Sequence, residues 1–412
     1  MNILFIHQNM PGQFKHFAPL LARDQANKVV FLTKRPDIQL PGVVKATYKP
    51  PRDASPETHQ YLRRLENAVR YGQQTARAMI ELKKKGLAPD LIIAHPGWGE
   101  SLFCKDIFPE TPIISFCEFY YRGRGLDVDF DPEDPADLDA VCRSRIRACH
   151  LLSSVEACDA GVAPTEWQKS THPAVFHDKI EVIFDGIDTD TVRPDPAASF
   201  TLPDGRTLTR DDTVITYVAR NLEPYRGYRS FVRALPEMLR LQPKAEIIVV
   251  GGDEEVSYGS QPKDEEHKTW RAKMDAEVEY DHARVHFVGK LPYSDYLSVL
   301  RISAAHIYLT YPFVLSWSCL ETMACEGLLV ASATPPVQEV IQHGRNGLLV
   351  DFFDPKAIAR QVDEAIRYPI RFEGLRQAAR KTVLDGYTIK DCLPKWLGLI
   401  EKVTGRPALP GG

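Results

Sequence analysis

The sequence of 412 residues lacks the patterns that mark several common classes of protein. Its eight cysteines include no Cys-x-x-Cys pair, so neither a zinc site nor a secreted disulfide framework is indicated. No stretch approaches the 18 or so apolar residues of a membrane-spanning helix, and the short apolar start has no basic region before it. We therefore expect a cytoplasmic protein with buried, reduced thiols, without a signal peptide or membrane span.

An excess of charge of one sign is also missing. Lys and Arg number 51 against 55 Asp and Glu, a net charge of −4, so no surface for bulk nucleic-acid binding is expected. The composition, 44% hydrophobic and 26% charged, is typical of a globular protein. The length exceeds one ordinary domain, so we expect two domains of about 200 residues with a cleft between them.

Short apolar runs alternate with segments of helical periodicity along nearly the whole chain. This alternation predicts an α/β fold, with parallel sheets and crossover helices in two Rossmann-like domains. Residues 185–210 are rich in Pro and Asp without apolar periodicity and are the best candidate for a linker. The predicted boundaries are 1–190, 191–385, and 386–412 for a C-terminal helix and tail. The predicted strands are Ile3–His7, Val29–Thr33, Leu91–Ala94, Ile113–Phe116, Ala160–Ala163, Ile180–Phe184, Thr213–Ala219, Glu246–Val250, Arg284–Val288, His306–Thr310, Leu328–Ala331 and Gly347–Val350.

Residues that directly follow a predicted strand are the candidates for ligand contacts, because ligands bind beyond the carboxyl ends of parallel strands. Gly12 lies in a Pro-Gly turn whose free N–H groups can receive a phosphate, although turn geometry alone also explains a glycine there. His95 begins a Gly-rich loop and is either an acid/base contact to a ligand or a structural histidine. Glu118, Tyr120 and Arg122 suit recognition of a sugar or another polar ring, or pack on the domain.

Each of two charged segments has two possible roles, either in binding or as ordinary solvated surface. Asp127 and Asp129 form an Asp-x-Asp pattern of the kind that divalent cations prefer, but they lie in an acidic, Pro-rich loop. A solvated loop explains them better, so no metal site is predicted. Four arginines on the helix predicted over residues 56–85 form either a solvated face or a surface that docks on anionic lipid: Arg63, Arg64, Arg70 and Arg77.

The strongest local signal lies in the second half of the chain. Arg220 ends a predicted strand and Arg226 stands at the entry to the next helix, so two cationic donors can converge on one anion such as a diphosphate. Further on, Glu321 lies one turn inside a helix and can accept hydrogen bonds from ribose hydroxyls. That helix is entered through three residues whose N–H groups suit a phosphate: Ser316, Trp317 and Ser318.

These motifs resemble those of the retaining glycosyltransferases of family 4, which have the GT-B fold. In the second half, the similarity is carried by the arginine turn, by Leu-Glu-Thr-Met-Ala-Cys-Glu-Gly at 320–327, and by Gln-Glu-Val-Ile at 338–341 followed by Gly-x-x-Gly-Leu-Leu-Val. The first half is similar to the acceptor domain of that family through His-Gln-Asn-x-Pro-Gly-Gln-Phe at 7–14, the His95 loop, and Ile-Phe-Asp-Gly-Ile-Asp at 183–188.

The resemblance implies a hexosyltransferase that uses a nucleoside diphosphate sugar, UDP- or GDP-linked, and that acts with retention and without a metal or bound cofactor. It implies sheets that face an interdomain cleft and a last helix that crosses back to the first domain. It places Gly12 near the donor diphosphate, His95 near the transferred sugar, and both arginines on the diphosphate. It assigns Glu321 to the ribose, and to the base it assigns the backbone of Val288, Gly289, Lys290 and Leu291.

One position departs from the family pattern. The family usually has two glutamates separated by seven residues, of which the first touches the donor sugar, and Phe313 stands in that place here. Arg226 also lies one residue further along than is common and stands where Lys is frequent. Two alternatives therefore stay open: a catalytically degenerate binding or scaffold protein, and a sugar-nucleotide epimerase or hydrolase. The expected acceptor is a glycan, a glycolipid or another molecule, with peripheral contact at the inner membrane face if the arginine helix binds lipid.

Overall fold

The computed structural model describes residues 1–409, and the chain divides into two compact units. The first unit contains Met1–Gly186 and the chain from Ile389 onward, and the second contains Ile187–Thr388. Each unit is built on its own fully parallel sheet, so the predicted class, α/β with two Rossmann-like domains, is confirmed. No helix among the described residues is both long and apolar enough to cross a membrane.

The sheet of the first unit has seven strands in the order β3-β2-β1-β4-β5-β6-β7. Its inner strands are apolar over nearly their whole length because helices cover both faces of a parallel sheet. The strands are Asn2–Ile6 (β1), Lys28–Thr33 (β2), Val44–Thr47 (β3), Leu91–Ala94 (β4), Ile113–Phe116 (β5), Ala160–Ala163 (β6) and Ile180–Val182 (β7). The helices are Phe17–Leu21 (α1), Arg63–Lys84 (α2), Cys104–Ile107 (α3), Leu138–Arg147 (α4), Cys149–Ala157 (α5) and Glu166–Thr171 (α6).

The second unit contains a parallel sheet of six strands in the order β12-β11-β10-β13-β14-β15, and a separate two-stranded hairpin, β8-β9. The strands are Ser199–Thr201 (β8), Thr207–Thr209 (β9), Val214–Asn221 (β10), Glu246–Gly252 (β11), Val285–Gly289 (β12), Ala305–Tyr308 (β13), Leu329–Ser332 (β14) and Leu348–Val350 (β15). The helices are Tyr228–Leu241 (α7), Trp270–Glu277 (α8), Tyr293–Ile302 (α9), Trp317–Ala324 (α10), Pro335–Gln338 (α11), Pro355–Arg367 (α12) and Glu373–Leu384 (α13).

The final helix, Ile389–Thr404 (α14), packs on the first unit. The ring of its Trp396 lies 5.0 Å from that of Phe17 in α1. Lys402 pairs with Glu181 of β7 at 2.8 Å, and Arg406, just beyond the helix, pairs with Asp90 at 2.7 Å. Apolar packing and surface ion pairs therefore both hold the end of the chain on this unit, with the packing contributing more.

All the predicted strands are present, with ends that differ by at most two residues. The expectation of a linker over 185–210, however, is wrong for much of that segment. The hairpin β8-β9 lies there, and its apolar side chains are buried against β10, β11 and α9. Phe200, Leu202 and Leu208 alternate with polar neighbours, which is a period-2 pattern too short to stand out among the Pro and Asp residues. The edge strand β3 was missed because it is half exposed.

Candidate functional site

Both parallel sheets reverse their strand order beside their first strand. In the first unit β1 lies between β2 and β4, and in the second β10 lies between β11 and β13. The loops on the two sides of such a reversal turn away from each other and leave a crevice beyond the carboxyl ends of the strands. The segments that follow β1, β4, β10 and β13 carry four of the predicted site residues, Gly12, His95, Arg226 and Ser316.

Two histidines meet at the reversal point of the first unit. His7 follows β1 and His95 follows β4; both are buried, and their ring centroids lie 4.8 Å apart. The Nδ1 atom of His7 accepts a hydrogen bond from the Asn9 N–H (2.9 Å), and that of His95 accepts one from the Gly97 N–H (3.1 Å). A ring nitrogen that accepts cannot carry a proton, so each neutral imidazole presents its proton on Nε2.

Glu118 and Gln13 complete this cluster. His7 Nε2 donates to Gln13 Oε1 (2.9 Å), and Gln13 Nε2 donates to Glu118 Oε1 (2.7 Å). The other carboxylate oxygen of Glu118 lies 3.3 Å from His95 Nε2, although His95 Nε2 has no aligned hydrogen bond among the described residues. Burial, together with the neighbouring His95, holds the pKa of His7 well below its usual value, so His7 stays neutral.

The structure separates Glu118 from the other two residues predicted to bind an acceptor. The Tyr120 backbone N–H donates to Thr171 Oγ1 (3.0 Å), and its ring lies 5.7 Å from that of His172. Arg122 Nε donates to the Thr171 carbonyl (3.0 Å), so it binds a carbonyl at the end of α6. Tyr120 and Arg122 thus pack on α6, whereas Glu118 lies beside His95.

Gly12 begins a 3₁₀ helix, Gly12–Phe14, with a positive φ of 52°. A Cβ atom at this position would lie 2.3 Å from His7 Nε2, so the backbone passes too close to the imidazole for any side chain. A glycine is therefore required at position 12 to leave room for the His7 ring, whether or not this segment binds a ligand.

In the second unit, Arg226 joins the turn after β10 to the loop after β13. The residue is buried, and its Nη1 donates to Thr310 Oγ1 (2.8 Å) and to the Val314 carbonyl (2.9 Å). Its own carbonyl accepts from the Tyr217 hydroxyl (2.7 Å). Arg220, at the end of β10, is exposed. The predicted anion-binding arginines thus lie at one end of the sheet, one fixed by hydrogen bonds and one exposed to solvent.

The start of α10 lies in the same loop system. Ser316 donates from its backbone N–H (2.9 Å) and from its hydroxyl (3.0 Å) to the Tyr308 hydroxyl, and its Oγ lies 2.9 Å from Ser318 Oγ. Ser316, Trp317 and Ser318 are half-buried. The Ser316 N–H, one of the three N–H groups predicted to receive a phosphate, is therefore bonded to Tyr308 in this structure. Anion binding at the start of α10 stays a prediction.

Glu321 is buried in α10 and bound by two tyrosines of α9. Tyr293 donates to Oε1 (2.7 Å) and Tyr296 donates to Oε2 (2.6 Å). The predicted base-binding residues Gly289, Lys290 and Leu291 end β12 and lead directly into α9. The predicted base and ribose positions are therefore linked through α9. Sequence reasoning missed both tyrosines, whose spacing of three residues at a helix start was the available signal.

Glu223 is a third residue that sequence reasoning missed, although it stands between the two arginines of the turn. It is 1% exposed, and its Oε2 accepts from the backbone N–H groups of Ser257 (2.5 Å) and Tyr258 (3.1 Å). Its Oε1 has no hydrogen-bond partner within residues 1–409. Burial raises the pKa of Glu223 to about 7, against the lowering effect of those two N–H groups and of both arginines.

Phe313, which stands where a carboxylate is usual, belongs to an aromatic cluster. It is buried, and its ring lies 4.6 Å from that of Tyr258 and 5.6 Å from that of Tyr225. The guanidinium carbon of Arg226 lies 5.5 Å from the centre of the Tyr258 ring. The amide of Tyr258 is also bound by Glu223, so one buried acid and three aromatic rings surround the arginine turn.

The remaining candidate segments have partners of their own. Within the described part of the chain, no group of three or more His, Cys, Asp or Glu side chains could hold a metal ion. Asp129 accepts from the Gly125 N–H (2.8 Å), which is a turn contact. On α2, Arg63 binds the Thr58 carbonyl (3.0 Å) and Arg70 pairs with Glu66, whereas Arg77 is exposed.

Similarity to solved structures agrees with the fold. The HepE protein of Anabaena, solved in complex with UDP, is 13% identical, with a TM-score of 0.66 over 98% of this chain and 100% of that one. Sucrose-phosphate synthase of Thermosynechococcus elongatus is 16% identical, with a TM-score of 0.71 over 98% of this chain and 99% of that one. At these identities the likeness concerns the fold alone, and the predicted GT-B fold is confirmed.

Similarity in sequence extends to both halves of the chain. A curated relative, the GDP-mannose-dependent alpha-(1-6)-phosphatidylinositol monomannoside mannosyltransferase of Mycolicibacterium smegmatis, is 27% identical over 206 residues, which are 49% of this chain. The match spans about half, 51%, of that relative's length. Residues 25–192 match the family described as glycosyl transferase family 4 group, and residues 203–382 match the glycosyl transferases group 1. Between them the two matches cover most of the sequence, and the chain belongs to the group 1 glycosyltransferases.

Proposed function

We propose that this chain is a glycosyltransferase that moves a hexosyl-type group from a nucleoside diphosphate sugar to an acceptor. The observation that carries the proposal is the contact of Arg226 with the loop that leads into α10. This contact brings a guanidinium close to the start of a helix, and both groups suit a diphosphate. Arg220, exposed at the end of β10, supplies the second positive charge.

The nucleotide part of the donor is assigned to the adjoining segment of the same unit. Glu321 is proposed to accept hydrogen bonds from the ribose, and the backbone of residues 289–291 is proposed to hold the base. UDP and GDP are the proposed nucleotides. The relative from Mycolicibacterium smegmatis is named as GDP-mannose-dependent and HepE was solved with UDP, and both names support this choice.

In the proposed reaction, the bond between the anomeric carbon and the diphosphate oxygen breaks, and the diphosphate leaves with the electron pair. The acceptor oxygen bonds to the anomeric carbon with retention of configuration, and its proton passes to an oxygen of the departing diphosphate. Arg220, Arg226 and the N–H groups at the start of α10 stabilise the negative charge on the leaving group; one such donor contributes about 3 kcal/mol in comparable sites. We propose that this stabilisation operates without a metal ion, which predicts unchanged turnover after treatment with EDTA.

The first unit is proposed to bind hydroxyl groups of sugars. The Nε2–H of His95 donates and the carboxylate of Glu118 accepts, so the two side chains offer complementary contacts to a sugar or polyol. The acceptor is proposed to be a glycan or a glycolipid. Contact of the α2 arginines with anionic membranes is part of this proposal; replacing Arg63, Arg64, Arg70 and Arg77 by Glu should reduce binding to anionic vesicles, and unchanged binding would refute it.

The test needs no knowledge of the acceptor. Sugars linked to UDP, GDP, ADP and TDP are scored by thermal shift and by release of nucleoside diphosphate, for the wild type, Glu321→Ala and, as a control on an exposed glutamate of α13, Glu373→Ala. The proposal is supported if one sugar nucleotide raises the melting temperature of the protein and is slowly hydrolysed by it, and if both effects are lost only in Glu321→Ala. Binding without consumption of the donor, with any acceptor supplied, supports the degenerate binding protein that Phe313 favours. Rapid consumption without an acceptor indicates an epimerase or a hydrolase.

A further inference from the structure

The tyrosine pair on α9 gives Glu321 an unusual setting. Its carboxylate is buried, and each of its two oxygens accepts a hydrogen bond from a different tyrosine hydroxyl, at 2.7 Å from Tyr293 and 2.6 Å from Tyr296. The tyrosines are the first and fourth residues of α9 and lie on one face of the helix, with ring centroids 5.7 Å apart and planes at 29°. Two hydroxyls thus hold one carboxylate at two points.

The direction of these hydrogen bonds is fixed. Burial and the nearby Glu321 carboxylate raise the pKa of Tyr293 and of Tyr296 above the usual value, so both remain protonated and donate. A carboxylate offers about four lone-pair positions, two on each oxygen. The two tyrosines occupy one position on each oxygen, which leaves one further acceptor position on each.

A ribose with both secondary hydroxyls presents two adjacent O–H donors, which match these two remaining positions. A 2′-deoxyribose presents one donor and would leave one carboxylate oxygen without its second hydrogen bond in a buried site. Sites that are built to hydrogen-bond a hydroxyl discriminate strongly against ligands that lack it, because the site's own polar group is then left unpaired.

We infer that Tyr293 and Tyr296 are positioning residues that orient Glu321 toward the 2′,3′-diol of the nucleotide, and that they thereby set a preference for ribonucleotide donors over 2′-deoxy donors. The inference rests on the proposed function, in which Glu321 binds the ribose. It narrows the donor class further, since TDP-linked sugars carry a 2′-deoxyribose and should bind more weakly than UDP- or GDP-linked sugars.

The experiment compares the dissociation constants of UDP and GDP with those of their 2′-deoxy analogues by titration calorimetry. The wild type should bind the better ribonucleotide at least about tenfold more tightly than its deoxy analogue, as expected for one hydrogen bond to a charged group. Tyr293→Phe and Tyr296→Phe should each reduce that ratio, and the double variant should bring it within about twofold of unity. Glu321→Gln should also reduce it.

A matched control separates positioning from general damage. Tyr280 donates to the carboxylate of Asp275 (2.5 Å) elsewhere in the same unit, so Tyr280→Phe removes the same kind of hydrogen bond away from Glu321. It should leave the ratio unchanged even where it lowers the melting temperature. A ratio that is unchanged in the double tyrosine variant, with nucleotide still bound, overturns the inference alone. Failure of both UDP and GDP to bind the folded wild type overturns the proposed function and the inference with it.

Discussion

The buried carboxyl of Glu223 predicts a specific dependence of stability on pH. Its pKa rises from the ordinary value of 4.5 to about 7 because the side chain is removed from water, and only one of its two oxygens is hydrogen-bonded within residues 1–409. Folding therefore favours the protonated form. The stabilisation that this gives is fully present below about pH 4.5 and is lost as the pH rises through 7.

The size of the effect follows from the two pKa values. A rise from 4.5 to about 7 corresponds to about 3 kcal/mol in the free energy of unfolding, and the side chain is 1% exposed, so solvent screening removes little of it. Glu223→Gln keeps the shape of the side chain and an oxygen for the two backbone N–H groups, but it has no proton to lose. The variant should therefore lack this part of the pH dependence.

Urea unfolding of the wild type and Glu223→Gln between pH 4.5 and 8 measures the difference directly. Hydrogen exchange of peptides from β10 and β11 assigns the change to the second unit, because those strands carry or adjoin the turn. The free energy of unfolding of the wild type, relative to that of Glu223→Gln, should fall by about 3 kcal/mol from pH 4.5 to pH 8. Other titrating groups contribute equally to both proteins and cancel.

Glu255→Gln, on an exposed position of the loop that Glu223 binds, is the matched control and should follow the wild type at every pH. Parallel curves for the wild type and Glu223→Gln would refute the reasoning, since they would mean that this carboxyl ionises equally easily in the folded and unfolded chain. A Glu255→Gln curve that diverges from the wild type would assign the effect to the loop instead of to Glu223.

Three further substitutions test other parts of the site. Arg220→Ala, at an exposed arginine, should lower nucleoside diphosphate release at least about tenfold with an unchanged melting temperature, and full activity would contradict its assignment to the diphosphate. Gly12→Ala places a Cβ 2.3 Å from His7 Nε2 at a positive φ, so it should lower the free energy of unfolding, measured in urea, by about 2–4 kcal/mol. An unchanged free energy of unfolding would mean that the 7–14 segment relaxes freely. Phe313→Glu buries an acid among tyrosine rings and should lower the melting temperature without raising activity, and a stable, more active variant would contradict this account of the aromatic cluster.

Local patterns in the sequence were sufficient for much of this molecule. Arg226 and the start of α10 were predicted to share a function because each directly follows a strand, and the contact of Arg226 with Val314 joins their loops. Contacts distant in the sequence could not be predicted in this way. Glu223 binds the amide of Tyr258, and Tyr293 binds Glu321, through backbone paths that depend on how loops close over the sheet.

Arg226 shows how the structure changes a test that the sequence suggests. From the sequence, Arg226→Ala is expected to cost transfer far more than folding. Its guanidinium, however, is buried and bonds Thr310 and Val314, so its removal leaves a hydroxyl and a carbonyl without that donor and should also lower stability. Loss of activity in Arg226→Ala would therefore be ambiguous by itself, which is why exposed Arg220 is the better position for the test.

The two crevices differ in charge, and this difference bears on what each binds. In the second unit, Arg220, Arg226 and the helix start offer positive charge and N–H donors, which suit an anion. In the first unit, a neutral His7 and the glutamine–glutamate chain beside His95 offer both donors and acceptors, with a carboxylate in place of arginines. A carboxylate repels a diphosphate at close range but accepts hydrogen bonds from hydroxyls. The charge of the side chains therefore favours the diphosphate in the second unit and neutral hydroxyl groups in the first, independently of any family pattern.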